Sequence, residues 1–126
     1  MSNDPLEQLR QQLAEFAAAR DWDQFHSPKN LSMALIAEVA ELIEHFQWLT
    51  PEQSEQLSPE QRQAVSYELA DIFIYLIRLS DKLNVDLMTA AQEKIKINEN
   101  RYPVALAKGS ARRSVEYLEQ KQDIKS

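Results

Sequence analysis

The chain contains no cysteine, which excludes a disulfide framework, a thiolate nucleophile and a zinc–thiolate centre. It has one glycine, so a glycine-rich phosphate cradle is absent. Two histidines are too few for a histidine-rich metal centre. β-branched runs with period-two alternation are missing, and so is any apolar run near the ~18 residues of a membrane span. The N-terminal MSNDPLEQL lacks the basic and apolar regions of a signal peptide, so the expectation is a cytoplasmic protein without a membrane partner. Positive charge is scarce as well: 14 Lys and Arg face 20 Asp and Glu, a net charge of -6. That balance argues against a nucleic-acid polymer as partner, since a phosphate backbone requires a basic face. It leaves a nucleotide open, because a bound cation reverses the local field.

What is present, 126 residues of which 44% are hydrophobic, reads as a single all-α domain over 1–126. A bundle is expected over about 5–102 and an extended or partly helical tail over 103–126. Asp4-Pro5 starts a first helix, to about Arg20, with Leu6, Leu9, Leu13, Phe16 and Ala17 as its buried stripe. Ser27-Pro28 starts a second, to about Trp48. Thr50-Pro51-Glu52-Gln53 and Ser58-Pro59-Glu60-Gln61 are successive capping-box signatures. The former opens a short connector and the latter a long helix to about Leu83. Asn84 suits a C-terminal cap, and Asp86 caps a helix to roughly Asn100. A further short helix is expected around Ser110 to Glu119.

Two helices carry acids where apolar residues belong. In LSMALIAEVAELIEHFQW, residues Leu31, Leu35, Glu38, Glu41 and Leu42 share one side at ~100° per residue. In AVSYELADIFIYLIRL, residues Val65, Glu68, Asp71, Ile72, Tyr75 and Leu79 do the same. Carboxylates on apolar faces need partners. Two such pairs on neighbouring antiparallel helices make a four-carboxylate cage for a divalent cation, with structural acids bridged to Lys or Arg as the plain alternative. A di-iron bundle requires a His three residues after Glu, but the positions are Glu44 and Ile74. An all-oxygen set suits Mg²⁺, with Mn²⁺ as a substitute, and Mg²⁺ shares itself readily with phosphate.

Trp22, Trp48 and Tyr75 flank the acids as a candidate base-stacking box, the alternative being ordinary core aromatics. Lys94 and Asn98, four apart, suit a phosphate contact and a base or sugar hydrogen bond, or else a solvated helix face. Lys29 and Asn30 lie in the first turn of the second helix, where exposed N–H groups favour anions. His26 binds ligand or caps its loop. Arg78 and Lys82 are phosphate clamps or ion-pair partners.

EVAE, from Glu38 to Glu41, is followed after 26 intervening residues by ELAD, from Glu68 to Asp71. With RDWDQFH, EHFQW and KINENRYPVALAKGSARR in order, the chain resembles the MazG-like all-α nucleotide pyrophosphohydrolases, in particular their dCTP pyrophosphatase branch. The resemblance covers most of residues 9–113 and implies a four-helix bundle, a homotetramer, and hydrolysis of a deoxycytidine triphosphate to monophosphate and pyrophosphate. It implies Glu38, Glu41, Glu68 and Asp71 as Mg²⁺ ligands. It also implies that Trp22, Asp23, Gln24, Phe25 and His26, with Trp48 and Tyr75, hold the nucleoside, and that Lys94 and Asn98 face substrate. Glu41 or Glu38 is the candidate base for water. Mammalian-type members carry His where this chain has Leu13, which bears on base and sugar preference. A bundle this short is expected to complete its site with a neighbouring subunit. The competing readings are a related enzyme with another nucleotide and a non-enzymatic helical interaction module with structural acids.

Overall fold

The computed structural model describes residues 3–112 together with Glu116. The described residues form six helices and no strand: α1 Pro5–Ala19, α2 Pro28–Glu44, α3 Pro51–Ser54, α4 Pro59–Lys82, α5 Leu87–Arg101 and α6 Val104–Ala107. Four of them are long, and the architecture is all-α as expected.

Each of the first four helices begins at proline for a local reason. Asp4, Ser27, Thr50 and Ser58 are extended, as residues before proline prefer, and each side chain accepts an N–H of the first turn. At Thr50 and Ser58 the capping box closes in both directions through Gln53 and Gln61. Asp86 caps α5 without a proline, accepting from the Thr89 N–H at 3.0 Å.

The helix ends are just as local. Asn84 takes a positive φ of 54° after α4. The Val85 N–H then reaches the Ser80 carbonyl at 2.9 Å and the Asn84 N–H reaches Asp81 at 3.1 Å, a Schellman closure. Asp21, at φ 57°, closes α1 the same way through Trp22 to Ala17 (2.9 Å) and Asp21 to Ala18 (3.1 Å). This turn sends the chain abruptly into the Trp22–His26 loop.

Two boundaries and one burial differ from expectation. Helix α2 ends at Glu44 rather than near Trp48. The His45 and Phe46 N–H groups bond three residues back, to Leu42 and Ile43, so the last turn tightens before Pro51 restarts the helix. Phe16, expected in the buried stripe of α1, is 46% exposed. Its ring is instead covered by the Arg20 guanidinium at 3.5 Å and by the Trp22 edge at 5.7 Å. Residues 110–112 are not helical, and most of the remaining stretch expected as a C-terminal helix lies outside the described residues.

The chain divides into two compact units, Met1–Val85 and Asp86–Ser126. In the first unit α2 packs along α4, and α1 also packs on α4. His26, just before α2, lies beside Arg78 late in α4, whereas Glu38 and Glu41 meet Glu68 near its middle. Rising numbers on one helix thus face falling numbers on the other, and α2 and α4 run antiparallel. Ala17, Leu31, Val65 and Ile77 are buried, as is Arg78, at 4% exposure. The opposite side of α2 leaves Met33, Ile36 and Ile43 exposed, and α4 leaves Leu69 and Phe73 exposed. No described helix is long and apolar enough to cross a membrane. The second unit comprises α5 and α6, with Gly109 at φ 76° just beyond α6.

Because Ser58 satisfies the Gln61 N–H at the start of the longest helix, Ser58→Ala should cost about 1 kcal/mol in urea denaturation with an unchanged m-value. A loss below about 0.3 kcal/mol would mean that the cap adds little beyond solvent.

Candidate functional site

Glu38 and Glu41 lie on successive turns of α2, and Glu68 on the antiparallel turn of α4. One carboxylate oxygen from each falls within 4.8 Å of the others. Among the described residues no Lys or Arg pairs with them: the ion pairs of this unit lie elsewhere, at Arg10, Arg78 and Lys82. Glu38 Oε2 and Glu68 Oε2 are buried and have no hydrogen-bond partner among the described residues. Carboxylates only accept, so buried oxygens within such a cluster require either a proton or a cation. Burial, and then the adjoining Glu68 and Glu41 carboxylates, push Glu38 up to about 7, with the Asp71 charge adding to the effect. Hard oxygen donors without His or Cys fit a hard divalent cation. Asp71 is one turn further along α4 and exposed; it is not within the three-residue cluster but borders the adjoining cavity.

That cavity, about 360 Å³, opens directly from Glu38. Its walls are Leu13, Phe16 and Ala17 of α1, Trp22 and His26 of the loop, Glu38 of α2, and Asp71, Ile74, Tyr75 and Arg78 of α4. The α4 set follows helical spacing, which aligns acid, aromatic and guanidinium along one stripe. Trp22 packs edge-on against Phe16 and lies 6.1 Å from the His26 ring. An acidic rim at one end and an aromatic, largely apolar wall at the other suit a ligand with a charged, cation-bridged part and a flat part.

The remaining sequence candidates divide between cavity wall, loop frame and open surface. Asp23 does not line the cavity. Its carboxylate accepts from Arg78 Nη2 at 2.9 Å and Lys82 Nζ at 3.1 Å, and these bonds hold it below the usual carboxylate range. Arg78 and Lys82 are therefore ion-pair partners. Gln24 turns back to the Asp21 carbonyl and carboxylate, and Phe25 is 60% exposed. Trp48 is 87% exposed, because α2 ends before it. The Asn30 N–H is taken by Ser27 and its side chain by the Phe25 carbonyl, which leaves Asn30 part of the cap rather than an anion donor. Lys94 is exposed and Asn98 half-buried on α5, in the second unit.

Comparison with known proteins agrees with this architecture. The MazG-like family model matches residues 34–116. The chain is 48% identical over 113 residues to dCTP pyrophosphatase 1 of Homo sapiens, covering 88% of this chain and 66% of that protein. It is 50% identical over 113 residues to dCTP pyrophosphatase 1 of Bos taurus, covering 87% and 67%. A solved pyrophosphatase from Archaeoglobus fulgidus superposes with a TM-score of 0.77 at 35% identity, covering 82% of this chain and 96% of that one. The chain belongs to the MazG-like family. It spans about two thirds of the length of the curated relatives it matches.

The carboxylate cluster dictates a pH response. Folded Glu38 keeps a proton up to about 7, whereas the unfolded chain releases it near the ordinary 4.5. Its contribution without a cation is thus greatest below about 4.5 and is lost as pH rises through about 7. In chelator, the melting temperature of the wild type relative to Glu38→Gln should fall between pH 5.5 and 8. Added Mn²⁺ or Mg²⁺ should raise the wild-type value more at pH 8 than at pH 5.5, and Glu38→Gln should lose most of that gain. An equal cation effect in both proteins would contradict the cluster's role.

Proposed function

We propose that the chain is a divalent-cation-dependent nucleoside triphosphate pyrophosphohydrolase that converts dCTP, or a closely related deoxynucleotide, to the monophosphate and pyrophosphate. The observation that carries this reading is the junction at Glu38 between an unpartnered acid cluster and an aromatic cavity. The similarity to dCTP pyrophosphatase 1 of Homo sapiens and Bos taurus supports it. In this reading Glu38, Glu41, Glu68 and Asp71 hold Mg²⁺, for which Mn²⁺ can substitute. The bound ion supplies charge neutralisation at the phosphates and polarises the α-phosphorus.

The chain's own groups do the rest. Glu41 or Glu38 orients a water and takes its proton as its oxygen bonds to the α-phosphorus; the bond to the bridging oxygen breaks and pyrophosphate leaves. Trp22, with Phe16 behind it, and Tyr75 wall the flat base, and His26 offers a hydrogen bond. Leu13 lines the cavity and makes that wall apolar, which favours contact with a ring face or an alkyl substituent over an added hydrogen bond.

Trp48, Phe25, Lys94 and Asn98 enter the reading through oligomerisation. Met33, Ile36, Ile43, Leu69 and Phe73 leave apolar side chains exposed on α2 and α4, surface that a neighbouring subunit would cover. We place these faces in a homo-oligomer, a tetramer by family resemblance, whose neighbouring subunits complete the nucleoside pocket. The same reading makes residues 1–126 one functional domain in the cytoplasm.

The test is pyrophosphate release from a panel of deoxy- and ribonucleoside triphosphates, with Mg²⁺ and with chelator. Mg²⁺-dependent release strongest for dCTP is expected. Glu38→Gln and Glu41→Gln should lower kcat, the residue that acts as base by about 100-fold or more. Release favouring another nucleotide would keep the reaction and change the substrate. No release by folded, oligomeric protein would leave a helical interaction module with structural acids.

A further inference from the structure

Arg78 is the one charged residue among the buried positions described, at 4% exposure. It lies two turns beyond Asp71 on the α4 face that borders the cavity. Its Nη2 donates to Asp23 Oδ1 at 2.9 Å and contacts His26 Nδ1 at 3.2 Å. Nη1 lies 3.7 Å from Asp81 Oδ2, and Nε is buried with no hydrogen-bond partner among the described residues. A guanidinium buried with one N–H unsatisfied is a poor arrangement for stability alone, since a well-packed apolar residue would avoid both desolvation and the orphaned donor. Yet it bonds two residues of the same five-residue loop, one on each side of Gln24 and Phe25.

The chemistry of that contact fixes a proton. Arg has donors only. The lone pair on His26 Nδ1 must therefore face Nη2, so a neutral His26 carries its hydrogen on Nε2. Burial and the Arg78 charge both hold the imidazole below its ordinary value, which keeps it neutral near pH 7.5. A His26 ring free of Arg78 would exchange between tautomers and offer the cavity either a donor or an acceptor.

We propose that Arg78 is a positioning residue of the ligand cavity, clipping the Trp22–His26 loop to α4 and holding His26 as a neutral imidazole that presents Nε2–H and no acceptor. Because Arg78 and Glu68 share one helix, the clip sets the distance from the aromatic wall to the acid cluster. The ligand group that meets His26 is then a hydrogen-bond acceptor. This inference rests on the proposed nucleotide reading for its ligand, but the tautomer does not depend on turnover.

The experiment is long-range ¹H–¹⁵N NMR at pH 7.5 on wild type, R78K and D23N, with H45Q assigning the two histidines, joined to steady-state kinetics on the most active nucleotide. Wild-type His26 should show the Nε2–H tautomer, and R78K a mixture, since a shorter-reaching ammonium without the guanidinium fork cannot hold Asp23 and His26 together. D23N keeps the His26 contact and serves should R78K fail to fold. It should keep the tautomer and raise KM. In R78K, KM should rise by about tenfold with kcat within about threefold, the pattern of lost ground-state positioning. A protonated or Nδ1–H His26 in wild type overturns the proposal, as does an unchanged tautomer in R78K or an effect confined to kcat. A protein inactive on every nucleotide that still shows the expected tautomers would remove the proposed function and leave the clip standing.

Discussion

Two helices cannot pack closely through opposed carboxylates unless something takes up the charge. In α2 and α4, Glu38, Glu41 and Glu68 turn toward one another beside the apolar seam that holds the first unit together. The rest of that unit accommodates this conflict. The helices are begun and ended by local devices that need no help from the seam, namely proline-led caps at one end and left-handed Asp21 and Asn84 turns at the other. The buried apolar side chains, Ala17, Leu31, Val65 and Ile77, pack on either side of the acids along the helices. The cluster's electrostatic cost is borne by a protein whose ends are well fixed, and it is relieved by a proton on Glu38 or by a cation.

The cavity extends from this cluster. Glu38 and Asp71 give it an acidic rim, and Phe16, Trp22, Tyr75 and the buried Arg78 guanidinium form the rest of its wall. Asp71, Tyr75 and Arg78 are anchored on α4, one helical stripe holding them in a fixed series. A ligand spanning cation and aromatic wall is thereby measured against a rigid helix rather than against loops, the arrangement expected of a preorganised site.

Much of this was legible from residue order because the determining interactions are short-range. Ser58-Pro59-Glu60-Gln61 specifies its own capping box, and Asn84 specifies the turn after α4. The acid pairs were visible because carboxylates interrupt an apolar period of 3.6, a violation that stands out in a single helix. What was not legible depends on partners far away in the chain. Nothing near Arg78 signals that it pairs with Asp23, 55 residues earlier. The exposure of Phe16 follows from Arg20 and Trp22 folding over it after the Asp21 turn, and the end of α2 at Glu44 has no Gly or Pro to announce it. Trp48 falls beyond the helix that the sequence periodicity extends to it, because α2 ends at Glu44. Its position in the single chain is instead open surface.

The most direct measurement is anomalous diffraction from crystals grown with Mn²⁺ at pH 8. A single strong peak, or a close pair, within coordination distance of Glu38, Glu41 and Glu68 carboxylate oxygens is the expected result, and Glu38→Gln should weaken or abolish it. Crystals of the wild type that show Lys, Arg or a shared proton between those oxygens, and no metal peak at saturating Mn²⁺, would contradict a cation as the partner around which the fold is built.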